Sequence, residues 1–418
     1  MELNSEQLAM LNGEHGSAAR KAMEILTALG EIYGAVDMVP VSSVQIAGVS
    51  YDNLGEAGLQ FLFEMADGGG KARVLTTLNP AGMDVDNWEA LGIDPLFAEN
   101  QKRVIEAFER MGVVTTCTCT PYLSGNLPHY GEHIAWAESS AVCYANSVIG
   151  ARTNREGGPS ALAAALTGFT PRYGMHLDED RSPTVTVEIA PTPANPSLTE
   201  DVRGDGSLRT MWFGALGKAI GEKLQGSEKK QVSYIEGIES ASLEELKSFC
   251  ASLATYGGTA LFHMGGITPE AAVMTPPEQT IRVTQAEVES AQRSLGEAPS
   301  AKVDFVSLGC PHLSINEIAH LAELLDGKRV VKEFWITTAR PTKHIADRMG
   351  YTKIIESSGA TFAVDTCCVV APIKGRFHTL ATDSAKACYY ATGKNNFKTR
   401  IMPFDDVVRE AVGEGPGN

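Results

Sequence analysis

Two cysteines stand one residue apart in "TTCTCTP", residues 115–121, with threonines around them and a proline closing the run. The spacing is not the CxxC of a redox pair, and no second pair stands nearby to complete a zinc site. The chain holds eight cysteines: Cys117, Cys119, Cys143, Cys250, Cys310, Cys367, Cys368 and Cys388. Three segments share one local form. "VVTTCTCTP", "VDFVSLGCPH" and "TFAVDTCCVVAP" each run as a β-like stretch into a turn. Open α/β sheets build ligand sites at the carboxyl ends of their strands, so three such ends can converge although far apart in sequence. Three thiolates on loop ends suit an iron–sulfur cluster. On a four-iron cluster they leave one iron open to a hydroxyl or carboxylate, a Lewis acid instead of an electron carrier. By spacing alone, three unrelated core or turn cysteines are the competing reading. Cys143, Cys250 and Cys388 fall inside helical patterns and read as packed core thiols.

The elements that must position these residues alternate along the chain. "NSEQLAMLNGEHGSAARKAMEILTALGEIYG" starts at a capping-box-like Asn4 or Ser5 and keeps apolar residues at 3–4 spacing, a helical pattern. "MVPVSSVQIAGVS" reads as a strand entering a Gly/Ser turn, "AGLQFLFEMADGG" as an amphipathic helix and "ARVLTTLNP" as a strand. "PLFAENQKRVIEAFERMGV" is a strong helix, and "VVTTCTCTPY" is the strand after it. On a strand Cys117 and Cys119 project to one side, so geometry does not choose between them; Cys368 points away from Cys367 and reads as packing. "HIAWAESSAVCYANSVIGA" reads as an apolar helix, and "GPSALAAALTG" as a short one between Pro159 and Gly168. After the strand "TVTVEIAPTP", residues 191–208 are rich in Pro, Asp and Gly and make a connection. Alternation resumes with helix "TMWFGALGKAIGEKL", strand "VSYIEGI", helix "LEELKSFCASLATYG" and strand "TALFHMGG", then a helix and linker over 285–300. "KVDFVSLGC", helix "SINEIAHLAELL", "RVVKEFWITTA", helix "TKHIADRMGYTKIIESSG", "TFAVDTCCVVAP" and helix "TDSAKACYYATG" follow. This βαβα order predicts an α/β fold with mainly parallel sheets.

The chain has 418 residues, 43% hydrophobic and 21% charged, an ordinary globular composition. Its length predicts two or three domains. We expect a first α/β region at 1–195 with the first candidate cysteine, a middle α/β region at 196–300, and a C-terminal one at 301–418 with the other two. Net charge is 35 − 51 = −16, which argues against binding nucleic acid or an anionic membrane through the whole surface. A local basic pocket is still compatible with it. No run of about 18 apolar residues indicates a membrane span. The N-terminus "MELNSEQLAMLNGEHG" lacks a signal-peptide core, so a cytoplasmic protein without a disulfide framework is expected.

"TCTCTPY", "GEHIAWAESSAVCYANSVIGARTNREGGPSALAAALTG", "SLGCPH" and "DTCCVVAP" resemble the large subunit of aconitase X, a branch of the aconitase superfamily. The resemblance runs from "GVSYDNLGEAGL" near residue 48 to "SAKACYYATG" near 393 and is weakest over about 195–300. It implies an aconitase-like, multi-domain α/β/α fold with mainly parallel sheets around a central cluster site. It implies Cys119, Cys310 and Cys367 as ligands of a [4Fe-4S] cluster with one open iron. Two branches are known: one dehydrates cis-3-hydroxyproline; the other, archaeal, dehydrates (R)-5-phosphomevalonate in a modified mevalonate pathway. "TTLNPAGMD" and "NREGGPSALAAALTG" look like the archaeal version. No segment resembles the small swivelling domain, so a separate small subunit is expected. In aconitases the proton-abstracting base is a serine on that domain, and no convincing base stands in this chain.

Eliminating water from a β-hydroxy acid requires a leaving group, removal of the α-proton and stabilisation of charge on the carboxylate. Backbone N–H groups and hydroxyls at a turn can supply the last. "AGVSY" offers Gly48, Val49 and Ser50 at a strand end, and "TTLNPAG" offers Asn79 and Pro80; without the resemblance both are ordinary turns. Glu138 and Ser139 lie in an apolar stretch, where a carboxylate needs a partner to offset desolvation, and the resemblance suggests substrate contact. Lys386 follows a Thr/Asp/Ser helix start and makes a phosphate address. Arg152 and Arg155 flank "EGGPSAL"; Arg155 is a candidate to brace that loop through Glu156. His133 and His312 read as core histidines or as supports of the cluster ligands. An iron sensor that binds RNA is the reading from another class, and the acidic charge opposes it.

Overall fold

The computed structural model describes residues 1–190, 207–225, 231–296 and 301–414. Of the connection read at 191–208, residues 191–206 lie outside the described residues, as do 297–300 of the linker read at 285–300. The chain divides into two compact units, Met1–Ser182 and Pro183–Asn418.

The first unit carries β1 (Met38–Pro40), β2 (Ser43–Ile46), β3 (Leu75–Leu78), β4 (Val114–Cys117), β5 (Ala135–Trp136) and β6 (Phe169–Pro171). β1 and β6 pair antiparallel. The other four make a parallel sheet in the order β4-β3-β2-β5. Every residue of β2 is buried, as befits a parallel strand covered on both faces. The helices Ser17–Tyr33 and Gly158–Thr167 supply Ala22, Leu26, Leu162 and Leu166 to the same core as Val44, Ile46 and Leu78. The helix Pro95–Arg110 starts where its sequence dictates: the Asp94 carboxylate accepts from Leu96 N and Phe97 N at 3.0 Å each, and proline opens the first turn. The chain lays β3 and β4 on one side of β2, then returns to place β5 on the other. The sheet therefore reverses between β2 and β5, and the carboxyl ends of those strands bound the crevice where such sheets take ligands.

The second unit holds β7 (Val185–Ile189), β8 (Ser233–Glu236), β9 (Phe262–Met264) and β10 (Thr280–Val283), a parallel sheet in the order β10-β7-β8-β9. A second parallel sheet follows: β11 (Phe305–Leu308), β12 (Glu333–Thr338), β13 (Thr361–Val364), β14 (Thr379–Thr382) and β15 (Lys398–Ile401), in the order β13-β12-β11-β14-β15. Its core joins Val306, Leu308, Ile336 and Phe362 to Ile318, Leu321 and Val407 of the covering helices. This sheet reverses between β11 and β14. The fold is α/β, with mainly parallel sheets.

Four local readings are corrected. "HIAWAESSAVCYANSVIGA" is not one helix: Ala135–Trp136 form β5, and the helix spans only Ser139–Tyr144 before a π turn at Ala145–Ile149. In a segment buried on all sides periodicity cannot tell strand from helix. β4 ends at Cys117, so Cys119 lies beyond the strand and the same-side argument does not reach it. "TKHIADRMGYTKIIESSG" breaks at Gly350 into Arg340–Met349 and Tyr351–Ser357. In "TDSAKACYYATG" Thr382 ends β14, and the helix begins only after the Ser384 cap. Among the described residues no helix is long and apolar enough to cross a membrane.

Candidate active site

In the first unit three neighbouring loops leave the carboxyl ends of β2, β3 and β5. Gly48, after β2, takes φ 79°, a left-handed backbone open to a residue without Cβ. Val49 is buried. Ser50 holds the N-cap position of the helix Tyr51–Asp67, yet its hydroxyl makes no capping hydrogen bond. Ser50 Oγ is buried and has no partner. After β3, Asn79 Nδ2 donates to Glu138 Oε2 at 3.2 Å, while Asn79 Oδ1 is a second buried atom without a partner; Pro80 beside it is buried. After β5, Glu138 caps the helix Ser139–Tyr144, its Oε1 accepting from Ser140 N at 3.2 Å and Ser140 Oγ at 2.7 Å. Glu138 thus stands at a helix start and not within a helix, and Ser139 is buried in the first turn. A cleft of about 460 Å3 is lined by Gly48, Leu54, Phe61, Ala137, Arg155 and Glu156. A buried polar atom left unpaired costs about 1–3 kcal/mol. Ser50 Oγ and Asn79 Oδ1, on loops after adjacent strands, are two such atoms.

Three buried amides that sequence reasoning missed hold these loops. Gln101, on the helix Pro95–Arg110, accepts at Oε1 from Tyr51 N at 3.0 Å and Gly82 N at 3.1 Å, and donates Nε2–H to Val49 O at 3.0 Å. Gly82 packs so closely that a Cβ would fall 2.5 Å from Phe97 and 2.6 Å from Ser50 Oγ. Gln45 on β2 donates to Thr118 O at 2.8 Å and accepts from Glu138 N at 3.3 Å, tying the cysteine turn to the Glu138 loop. Asn126 donates to Val44 O at 3.1 Å and Thr77 Oγ1 at 3.0 Å. A signal existed: Gln101 interrupts the buried stripe Ala98, Ile105, Phe108, and Gln45 interrupts the apolar run of β2. The same loops separate the two candidate thiols. Cys117 belongs to the unit's hydrophobic core. Cys119 sits in the turn shaped by Thr120 N donating to Thr118 Oγ1 at 3.1 Å.

In the second unit Cys310 follows β11 and Cys367 follows β13. Gly309 has φ 107°, and a Cβ there would lie 2.2 Å from Thr337 O. Thr337 Oγ1 donates to Gly309 O at 2.6 Å, and Thr338 Oγ1 to Leu313 O at 2.8 Å, so β12 grips the Cys310 turn on both sides. Before Cys367, Asp365 takes φ 60°, and its carboxylate accepts from Arg340 N and Nε at 3.0 Å each. The fully buried His312 joins the two turns, its Nε2 lying 2.9 Å from Thr366 O. A ring nitrogen facing a carbonyl carries the proton, so Nε2–H donates. Cys368 is buried, and burial pushes its thiol pKa up, which suits packing. Asp383, after β14, lines a cleft of about 300 Å3 with Glu244, Glu317 and His320. Burial, then the Glu317 carboxylate, pushes its pKa up to about 7. Lys386 is buried in the first turn of the helix Ala385–Tyr390, whose cap Ser384 accepts from Ala387 N at 3.0 Å. Cys310 and Lys386 therefore flank the β11–β14 reversal, while Cys119 belongs to the first unit. None of the eight cysteines forms a disulfide. Among the described residues no group of three or more His, Cys, Asp or Glu side chains is placed to hold a single metal ion.

Other candidates resolve as structure. Arg155 does not brace Glu156: it is exposed, while the buried Glu156 carboxylate accepts from Ser160 Oγ at 2.5 Å and Thr170 Oγ1 at 3.1 Å. Burial pushes the Glu156 pKa up. Arg152 pairs with Asp178. His133 Nδ1 lies 2.9 Å from His176 Nδ1. One ring donates and the other accepts, so the accepting ring is neutral; burial lowers the pKa of both, that of His176 to about 3. Cys143, Cys250 and Cys388 are buried in helices.

Comparison with known proteins bears on what these loops serve. The sequence profile of the aconitase X first domain matches residues 1–179, that of the second domain 183–293, and that of the third 303–413. The phosphomevalonate dehydratase large subunit of Methanocaldococcus jannaschii is 45% identical, over 93% of this chain and 95% of its own. The cis-3-hydroxy-L-proline dehydratase of Pseudomonas aeruginosa is 34% identical over 98% of this chain and 70% of its own. The crystal structure of Thermococcus kodakaraensis aconitase X in its holo form superposes with a TM-score of 0.87 at 41% identity, covering 98% of this chain and all of the other.

Proposed function

The chain belongs to the aconitase X family and is a dehydratase, and from that premise we propose that it is the large subunit of a phosphomevalonate dehydratase. It removes water from (R)-5-phosphomevalonate to give trans-anhydromevalonate 5-phosphate, with a separate small subunit, in the cytoplasm. The substrate class rests on similarity: 45% identity over nearly full length on both sides to a phosphomevalonate dehydratase large subunit, against 34% to the longer hydroxyproline enzyme. The observation that carries the site is the pair of unpartnered buried atoms, Ser50 Oγ and Asn79 Oδ1, on adjacent strand-end loops.

In the reaction a C–H bond next to the carboxylate breaks, its electron pair forms the C=C bond, and the hydroxyl leaves as water. Ser50 donates to the substrate carboxylate, together with backbone N–H groups of the Gly48–Ser50 turn. Asn79 accepts from the substrate hydroxyl, in a loop fixed by Pro80, Glu138 and Ser139. The Lys386 ammonium pairs with the phosphate. Cys119, Cys310 and Cys367 would hold the cofactor. Three soft thiol donors suit an iron–sulfur cluster with an open iron better than a four-ligand zinc site. When bound, that cluster would supply Lewis acidity for the departing hydroxyl. The base comes from the small subunit, consistent with the "large subunit" of the relative's name.

The test is anaerobic reconstitution with the small subunit, then assay on phosphomevalonate and on cis-3-hydroxyproline. Turnover of phosphomevalonate is expected, with Lys386→Ala raising its KM by about 100-fold, the scale of a charge-assisted phosphate contact. Turnover of only the hydroxyproline would overturn the assignment.

A further inference from the structure

We propose that Lys247 is a positioning residue for the cluster, fixing the turn that carries Cys310 to the turn that carries Cys367. It rests on the reading of those two cysteines as ligands. Lys247 lies in the helix Leu243–Gly257 and is 3% exposed. A lysine is almost never buried this far without a specific partner. Its ammonium donates to His312 O at 3.0 Å and pairs with Glu317. His312 is two residues beyond Cys310, and its ring donates at 2.9 Å to Thr366 O, immediately before Cys367. One residue is therefore gripped at its carbonyl by Lys247 and grips the second turn through its imidazole. Glu317 closes the frame, accepting from Ser314 N at 2.7 Å, while Ser314 Oγ donates to Glu244 at 2.9 Å. Lys247 also lines a cavity of about 20 Å3 with Cys310, Pro311 and Asp383. A positive charge there offsets the negative charge that thiolate ligands bring into a buried site. Among the described residues no other lysine or arginine lines that cavity.

The experiment uses the full chain with its small subunit, reconstituted anaerobically. Iron release to a chelator is timed, and alkylation of the metal-free thiols is mapped by mass spectrometry. Lys247→Met is expected to fold, to release iron about tenfold faster, the scale for loss of a residue supporting a metal ligand, and to label Cys310 faster while Cys119 labelling is unchanged. Glu317→Gln keeps the Lys247–His312 bond and removes the charge of a buried ion pair, so iron release between that of wild type and that of Lys247→Met is expected. Should Lys247→Met not fold, Lys247→Gln, which keeps an N–H donor without the charge, takes its place with the same expected direction. Wild-type iron release and labelling in a folded Lys247 variant overturn the inference. A wild-type chain that takes up no iron overturns the cluster reading instead.

Discussion

Replacing Gln101 with leucine keeps the volume of a buried side chain and removes its polar atoms. Three hydrogen bonds go: from Tyr51 N, from Gly82 N and to Val49 O. The partners are backbone groups packed against the helix Pro95–Arg110, so water does not readily replace the amide. At about 1–3 kcal/mol for each buried group left unpaired, offset in part by the added apolar burial of leucine, the loss is about 3–5 kcal/mol. For a unit of 182 residues, 1 kcal/mol corresponds to about 2–4 °C, so the first unit is expected to melt about 10 °C lower. The freed loop carries Val49 and Ser50, and a loop misplaced by about 1 Å costs tenfold or more in kcat/KM. Gln101→Glu keeps both accepted N–H bonds and sets a carboxylate oxygen against Val49 O, so an intermediate loss is expected. Differential scanning calorimetry and steady-state kinetics below the transition measure both effects. A Gln101→Leu protein melting within about 1 °C of wild type, with kcat/KM within twofold, refutes the view that this amide organises the site.

Cys119→Ser is expected to lower iron and sulfide content after anaerobic reconstitution to a small fraction of wild type. Cys117→Ser puts a hydroxyl into the core, lowers the melting temperature by a few degrees and retains iron; equal retention by both variants removes Cys119 from the ligand set. The His176 pair predicts a pH dependence. Its pKa falls from 6.5 to about 3 on folding, so the unfolded chain takes up the proton first as pH drops. The stability it contributes is whole above about pH 6.5 and falls by about 1.4 kcal/mol per pH unit between 6.5 and 3. His176→Gln is expected to flatten the decline of melting temperature between pH 7 and 5, and an unchanged slope in the variant would show that the histidine pair does not set it.

What could be read from residues alone was local. Alternating apolar patterns gave the strands that end at Ile46, Leu78, Cys117 and Leu308, because a buried parallel strand must be apolar and its end must carry turn residues. Capping chemistry located the helix start at Asn4 and the ends of the short helix between Pro159 and Gly168. Cysteines at three strand ends and the segments around Gly48, Asn79 and Glu138 were visible for the same reason. Ala135–Trp136 was misread because nothing in two buried residues says whether they pair with β2 or continue a helix. Only the sheet decides that. Gln45 and Gln101 showed only as interruptions of an apolar pattern, and Lys247 not at all, because a polar residue has one letter whether it faces water or buried partners. That Cys117 ends β4 while Cys119 lies beyond it turns on where β4 stops pairing with β3, a long-range contact. Sequence determines which elements form, since propensity and capping act within a few residues. Tertiary structure alone decides which polar atoms are sealed off from water, and that sealing gives each remaining hydrogen bond its worth.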